Sequence, residues 1–170
     1  VQTGADDVAT IDAVNPFPND ADKRLISLGL ELPPPVTPFG EYVETVQVGD
    51  LLFLTGALPV LGHDVKYRGR IGAELDTTQG RAAMRLAALN ALVTAKEHLG
   101  SLNRVKRVVR LGVMLATSGD QVEHVKVADA ASELLRDVFG GAKNPVRLVY
   151  GVASLPLNAP VELEVIFEVA

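Results

Sequence analysis

This sequence predicts a single α+β domain, a mixed β-sheet with two helices packed on one face. Three observations lead there. Strand-like stretches with apolar alternation stand at both ends of residues 38–170, two long stretches with helical spacing lie between them, and no glycine-rich phosphate loop follows any strand. The chain has 170 residues, of which 48% are hydrophobic and 22% charged, enough for one domain with a sizeable core.

The N-terminal 37 residues differ from the rest. Pro16, Pro18, Pro33, Pro34 and Pro35 punctuate them, and Asp20 to Leu30 sets Leu25, Ile26 and Leu28 among charged residues, so an arm with one short helix and an extended proline stretch is expected. From Phe39 the signals become regular. Tyr42 to Val48 alternates around Val43 and Val46, Gly49-Asp50 is a turn dipeptide, and Leu51 to Leu54 opens a buried strand, which together predict a hairpin. Gly62 to Arg70 reads as a loop carrying a short strand.

Asp76-Thr77-Thr78-Gln79 has the form of a helix capping box, and Gly100 is placed to end the helix that follows. Met84, Ala87, Ala88, Ala91, Leu92 and Ala95 keep helical spacing and give that helix a small-residue face that can lie close on a sheet. Val105 to Ala116 is a strand. A second helix runs from Asp120 or Gln121 to Phe139 and stops at Gly140-Gly141, and strands Val146 to Ala153 and Val161 to Val169 complete the order ββ(β)αβαββ. In the last strand Val161, Leu163, Val165, Phe167 and Val169 form one side, and Glu162, Glu164, Ile166 and Glu168 the other. That second side is either a solvated edge face or a surface packed against copies of the same sheet.

Composition excludes several function classes. A net charge of −5 and a pI near 5.2 make nucleic acid a poor default partner, and no apolar run approaches a membrane span. The opening residues lack the basic start and apolar stretch of a signal peptide, and Val1 is not a natural initiator, so a trimmed, cytoplasmic chain is expected. The absence of cysteine excludes disulfides, thiolate catalysis and cysteine-held metal. His63, His98 and His124 lie in different elements without i,i+4 partners, which argues against zinc, and His98 near a helix end reads as a partner of the helix dipole. Ser132 and Ser154 read as packing or turn residues. Arg104, Lys106, Arg107 and Arg110 read as a solvated strand end.

Arg147 carries the chemistry. It stands in a predicted strand, Val146-Arg147-Leu148-Val149-Tyr150, and the next strand, after one turn, brings carboxylates at Glu162 and Glu164. A guanidinium beside a carboxylate is suited to gripping a small carboxylate next to a proton-transfer group. The structural alternative is a salt bridge from Arg147 to Glu162 or Glu164 that pins two strands together.

Four blocks in order, Phe39-Gly40-Glu41-Tyr42-Val43, Leu54-Thr55-Gly56-Ala57-Leu58-Pro59, Arg147 eight positions before Leu155-Pro156, and Val161-Glu162-Leu163-Glu164, resemble the RidA/YjgF family of enamine/imine deaminases. The likeness covers Thr37 to Ala170. The loop at His63 to Arg70 and the helix end at Phe139-Gly140-Gly141 look like the family's larger branch. The resemblance implies a chorismate-mutase-like fold, a homotrimer with sites between subunits, and chemistry without metal or cofactor. It also implies that Arg147 binds the substrate carboxylate, Glu162 assists the hydrolytic water, and Tyr42, Thr55 and Gly56 line the site. Thr55 replaces the family's serine and keeps the hydroxyl, Val149 stands where the family has a cysteine, and Asp129 is the nearest polar substitute for a helix asparagine. Imines hydrolyse in water unaided, so an enzyme need only position the substrate and a water and handle protons. The expected reaction is hydrolysis of 2-imino acids to 2-oxo acids and ammonia. A non-catalytic, regulatory trimer that binds small carboxylates or a partner protein is the second reading, and a ribonuclease the third, disfavoured by the acidic balance and the lack of a histidine pair.

Overall fold

The computed structural model describes residues 20–119 and 122–170. The first half of the expected arm, and the expected start of the second long helix at Asp120 or Gln121, lie outside them.

The arm's helix, α1 (Ala21–Ser27), starts on Asp20, whose side chain accepts from the Lys23 N–H, and it ends before Leu30 because Gly29 turns left-handed at φ 63°. Ala21 and Leu25 are buried in the same core as the sheet. Polar contacts fix it there: Asp22 accepts from Lys96 Nζ at 2.9 Å and Ser101 Oγ at 2.6 Å, and its own N–H donates to Asn103 Oδ1. Burial works against the charge of Asp22, but the hydrogen bonds from Ser101 and Lys96 outweigh it and hold the carboxyl below its ordinary pKa.

The expected hairpin is present as β1 (Thr45–Val48) and β2 (Leu51–Leu54), turning at Gly49. β1 starts later than the sequence pattern predicts, because Tyr42 is drawn into a bend in which its hydroxyl accepts the Phe39 N–H at 3.0 Å. The loop that follows carries a two-stranded ribbon, β3 (Val60–Leu61) with β4 (Asp64–Val65). α2 (Thr77–Leu99) begins with the predicted capping box, its two reciprocal bonds between Asp76 and Gln79 at 2.8 and 3.0 Å, and ends at Gly100 with φ 77°. After β5 (Val105–Ala116) comes α3 (His124–Phe139), whose N-cap residue Glu123 makes no side-chain cap bond. β6 (Val146–Val152) and β7 (Val161–Val169) close the chain.

The five-stranded sheet has the order β1-β2-β7-β5-β6, antiparallel except for the parallel pair β5 and β6 joined by α3. β7 is therefore central, not an edge. Its alternation decides the layering: Val161, Leu163, Val165, Phe167 and Val169 are all fully buried under the helices, while the glutamates and Ile166 face the other side, half-buried. The small residues Ala83, Ala87, Ala88, Ala91 and Ala95 bring α2 close to the sheet, and Phe139 of α3 meets Phe167 edge-on at 5.9 Å. Truncating Phe167 to alanine would cost about 3–5 kcal/mol, because close-packed neighbours cannot collapse into the void.

Among the described residues no helix covers the second face. There Val46, Val48, Leu51 and Phe53 at one end, and Val146, Leu148 and Tyr150 at the other, are all exposed. Apolar side chains spread over a sheet face on this scale mark a surface that associates.

Candidate functional site

Arg147 and Glu162 lie on opposite faces of the sheet. Arg147 is in register with Leu111, which is fully buried toward the helices, whereas Glu162 is in register with Met114, three residues along β5 and on the other face. β5 also separates their strands, so the sequence expectation of neighbouring strands is corrected. The strand-pinning salt bridge to Glu162 or Glu164 is likewise not formed. Glu164 approaches Arg110 Nε at 3.4 Å instead.

The partners of Arg147 come from α3. Its Nη1 donates to Asp129 Oδ1 at 2.8 Å and to Ser132 Oγ at 2.9 Å, two residues that helical spacing places on one face. The side chain is 21% exposed, and its Nε and Nη2 have no partner among the described residues. A guanidinium tethered by one nitrogen keeps its side-on edge for a two-point grip on a carboxylate. Val149, two residues along β6, shares the face and packs on the core. Ser132, read from sequence as a packing residue, is thus part of this group. The signal was its i+3 spacing from Asp129.

Tyr42, Thr55, Gly56 and Glu162 form the second group. Tyr42, Thr55 and Gly56 line a small pocket together with Glu44, just before β1, and Asn90 and Thr94 of α2. Glu162 does not line it, but its carboxyl lies directly against Gly56: a Cβ there would run into Glu162 Oε1. Only glycine admits that approach. Burial raises the Glu162 carboxyl above its ordinary pKa, which readies it to hold and release a proton nearer neutrality, and burial does the same to Glu44. The Tyr42 hydroxyl, already accepting from Phe39 N–H, has its own proton to give. Glu44 and Asn90 escaped the sequence reading, although Asn90 is a lone amide within the small apolar face of α2.

The remaining candidates have structural partners. His98 joins α2 to β1 through Thr45 Oγ1 at 3.1 Å and Gln47 Oε1 at 3.0 Å, a side-chain link where a dipole contact was expected. His63 bonds Thr37, and Arg104 holds the carbonyls of Leu99 and Ala170. Among the described residues no group of three histidines or acids is placed to hold a metal ion, and no helix is long and apolar enough to cross a membrane.

Residues 22–169 match the family model described as YjgF/chorismate mutase-like, putative endoribonuclease. The chain belongs to the RidA/YjgF family. Protein TCP17 of Trypanosoma cruzi is 38% identical to this family member over 146 residues, 85% of this chain and 91% of the relative. A crystal structure of a putative endoribonuclease from Shewanella oneidensis superposes with a TM-score of 0.84 at 35% identity, covering 88% of this chain and 99% of that one. RidA from the Antarctic bacterium Psychrobacter sp. PAMC 21119 shares the fold, with a TM-score of 0.58 at 21% identity over 79% of this YjgF-family chain and 94% of its own.

Proposed function

We propose that the protein is an imine/enamine deaminase that hydrolyses 2-imino acids to 2-oxo acids and ammonia. The observation that carries this reading is the tether of Arg147, held through Nη1 by Asp129 and Ser132 with its side-on edge left over. A planar carboxylate bound there by two parallel hydrogen bonds has its adjacent C=N carbon fixed in space. Addition of water to that carbon requires a base for the water and an acid for the departing ammonia. One carboxyl with a raised pKa serves both steps in turn, and Glu162 is that group: it passes one proton of the attacking water to nitrogen as the C–O bond forms and the C=N π bond breaks, then passes the remaining hydroxyl proton to nitrogen as C=O forms and the C–N bond breaks, releasing ammonia.

Since Arg147 and Glu162 of one protomer are separated by the sheet, they act together only across a subunit boundary. We therefore assign the site to a cleft between copies in a closed homotrimer, with the Arg147 group of one protomer facing the Tyr42, Thr55, Gly56 and Glu162 group of the next. The uncovered apolar sheet face supports such an assembly. The ribonuclease named for the Shewanella relative has less support, because each histidine is in a different element and no pair stands ready for acid–base cleavage.

The test is ammonia release from imines generated in place by an amino-acid oxidase. Rates above the buffer reaction are expected, with no cleavage of a single-stranded RNA control. Rates equal to buffer across neutral imines would refute the reading.

A further inference from the structure

A pair of cations meets where α1 packs on the end of α3. That helix stops at Gly140, whose φ of 96° leads the chain into the short 3-10 turn Gly141–Lys143. The Arg24 guanidinium, from the last turn of α1, lies over this glycine: a Cβ on Gly140 would stand 3.3 Å from Arg24 Nη1 and 3.9 Å from Nη2. Lys143 is tied to the same residue, its N–H donating to the Gly140 carbonyl at 3.0 Å. Both Arg24 and Lys143 are half-buried.

Neither has a counter-ion. Among the described residues no hydrogen bond or ion pair reaches the guanidinium of Arg24 or the ammonium of Lys143. Asp137, the acid at this end of α3, is taken up by Arg136, which donates to its Oδ1 from Nε at 3.2 Å and from Nη2 at 3.1 Å. The acids of α1 are committed as well, Asp20 to Lys23 and Asp22 to Lys96 and Ser101. Burial, and after it repulsion from Arg24, push the Lys143 ammonium below its ordinary pKa, so the fold works against that charge. The carbonyls at the end of α3 attract positive charge and account for one cation here. They do not account for a second set against the first, because like charges drawn partly out of water lose hydration and repel each other.

We infer that Arg24 and Lys143 form a clamp for a doubly charged phosphate group, the phosphate monoester of a small soluble molecule, at the junction of α1, α3 and Gly140. The pair matches a dianion in charge, whereas a carboxylate would leave one cation unneutralised. Their shapes complement each other too: the guanidinium offers a planar fork to two phosphate oxygens, and the ammonium a point donor to a third. RNA fits less well, since the chain carries a net charge of −5 and a single pair of cations cannot neutralise a run of phosphates. The inference uses neither Arg147 nor Glu162 and stands apart from the deaminase reading.

The probe is inorganic phosphate at slightly alkaline pH, titrated into the whole chain at constant ionic strength with chloride as the balance. The melting temperature should rise by about 3 °C or more once phosphate exceeds its dissociation constant tenfold, and the Gly140 and Gly141 amide resonances should move in the same titration. Arg24→Gln and Lys143→Gln should each weaken phosphate binding about 10-fold or more, since each removes a charge-assisted contact, while Lys66→Gln should leave it unchanged. In phosphate-free buffer Lys143→Gln should melt no lower than wild type, because it relieves the repulsion. Phosphate shifts that are absent, or equal in wild type and both clamp variants, would overturn the inference. So would a lower melting temperature for Lys143→Gln with unchanged phosphate binding, which would make the lysine a structural residue. Single-stranded RNA bound more tightly than phosphate, or co-sedimentation with vesicles containing phosphatidic acid, lost in the same variants, would overturn the assignment to a small soluble ligand.

Discussion

Replacing Arg147 by lysine keeps a positive charge at the rim of the sheet and removes the fork. In the wild-type protein Nη1 is committed to Asp129 and Ser132, and the Nε–Nη2 edge remains for substrate. An ammonium is a point donor, so it either holds Asp129 or turns to the ligand, and at least one of the two charge-assisted bonds to the substrate carboxylate is lost. A hydrogen bond to a charged group contributes about 1.5–3 kcal/mol, which corresponds to a fall of about 10- to 100-fold in kcat/KM. The fold should survive. Asp129 is 43% exposed, and an ion pair that solvent reaches contributes about 1 kcal/mol or less to stability. The assay is steady-state ammonia release from an oxidase-generated imine, read beside a thermal melt of the same preparation. A folded Arg147→Lys protein with unchanged kcat/KM would refute the carboxylate grip and leave Arg147 as a tie between β6 and α3.

Gly56→Ala should leave the backbone at ease but drive the Glu162 carboxyl from its place, lowering kcat at least about 10-fold; a crystal structure showing Glu162 unmoved with full activity would contradict this. Glu162→Gln should abolish turnover and also change the pH dependence of stability. Because burial raises its folded-state pKa above 4.5, the folded chain holds the proton longer than the unfolded one, and this residue makes stability fall as pH rises from about 4.5 through the raised value; the glutamine variant should lose that fall in urea titrations across pH 4–8. Asp22→Ala should cost about 1–2 kcal/mol and expose α1 to proteolysis, since it removes the acceptor for Lys96 and Ser101. The sign is opposite for that residue: its pKa is lowered, so its contribution is complete above the ordinary aspartate value and is lost as pH falls through the folded one, and acid melts of wild type and variant should converge.

Local patterns were legible in the sequence, and pairings between distant segments were not. The alternation in Val161–Val169, the Asp76–Gln79 box and the glycine stops at Gly100 and Gly140 each rest on neighbours within a few residues, and each formed as expected. Strand order depends on contacts between distant segments, and no residue near Arg147 announces that β5 lies between β6 and β7. The partner of Arg147 was therefore sought on β7, when it sits 18 residues upstream on α3. The grouping of Tyr42, Thr55, Gly56 and Glu162 came through resemblance, and the geometry explains it by the Gly56 contact. Asn90 was hidden by its setting: inside Ala87-Ala88-Leu89-Asn90-Ala91-Leu92 an amide looks like a tolerated interruption of a small face until the carbonyls of Leu58 and Val60 arrive beside it.

The central claim is that one site is built from two protomers, and subunit complementation tests it most directly. Arg147→Lys and Glu162→Gln chains are co-expressed in equal amounts, and the mixed assemblies are assayed against each parent. In a closed ring where Arg147 of one copy faces Glu162 of the next, random mixing leaves about a quarter of the interfaces with both residues intact. The mixture should recover about a quarter of wild-type activity from two nearly inactive parents. Activity no greater than the average of the parents, in assemblies verified to contain both chains, would contradict the shared site.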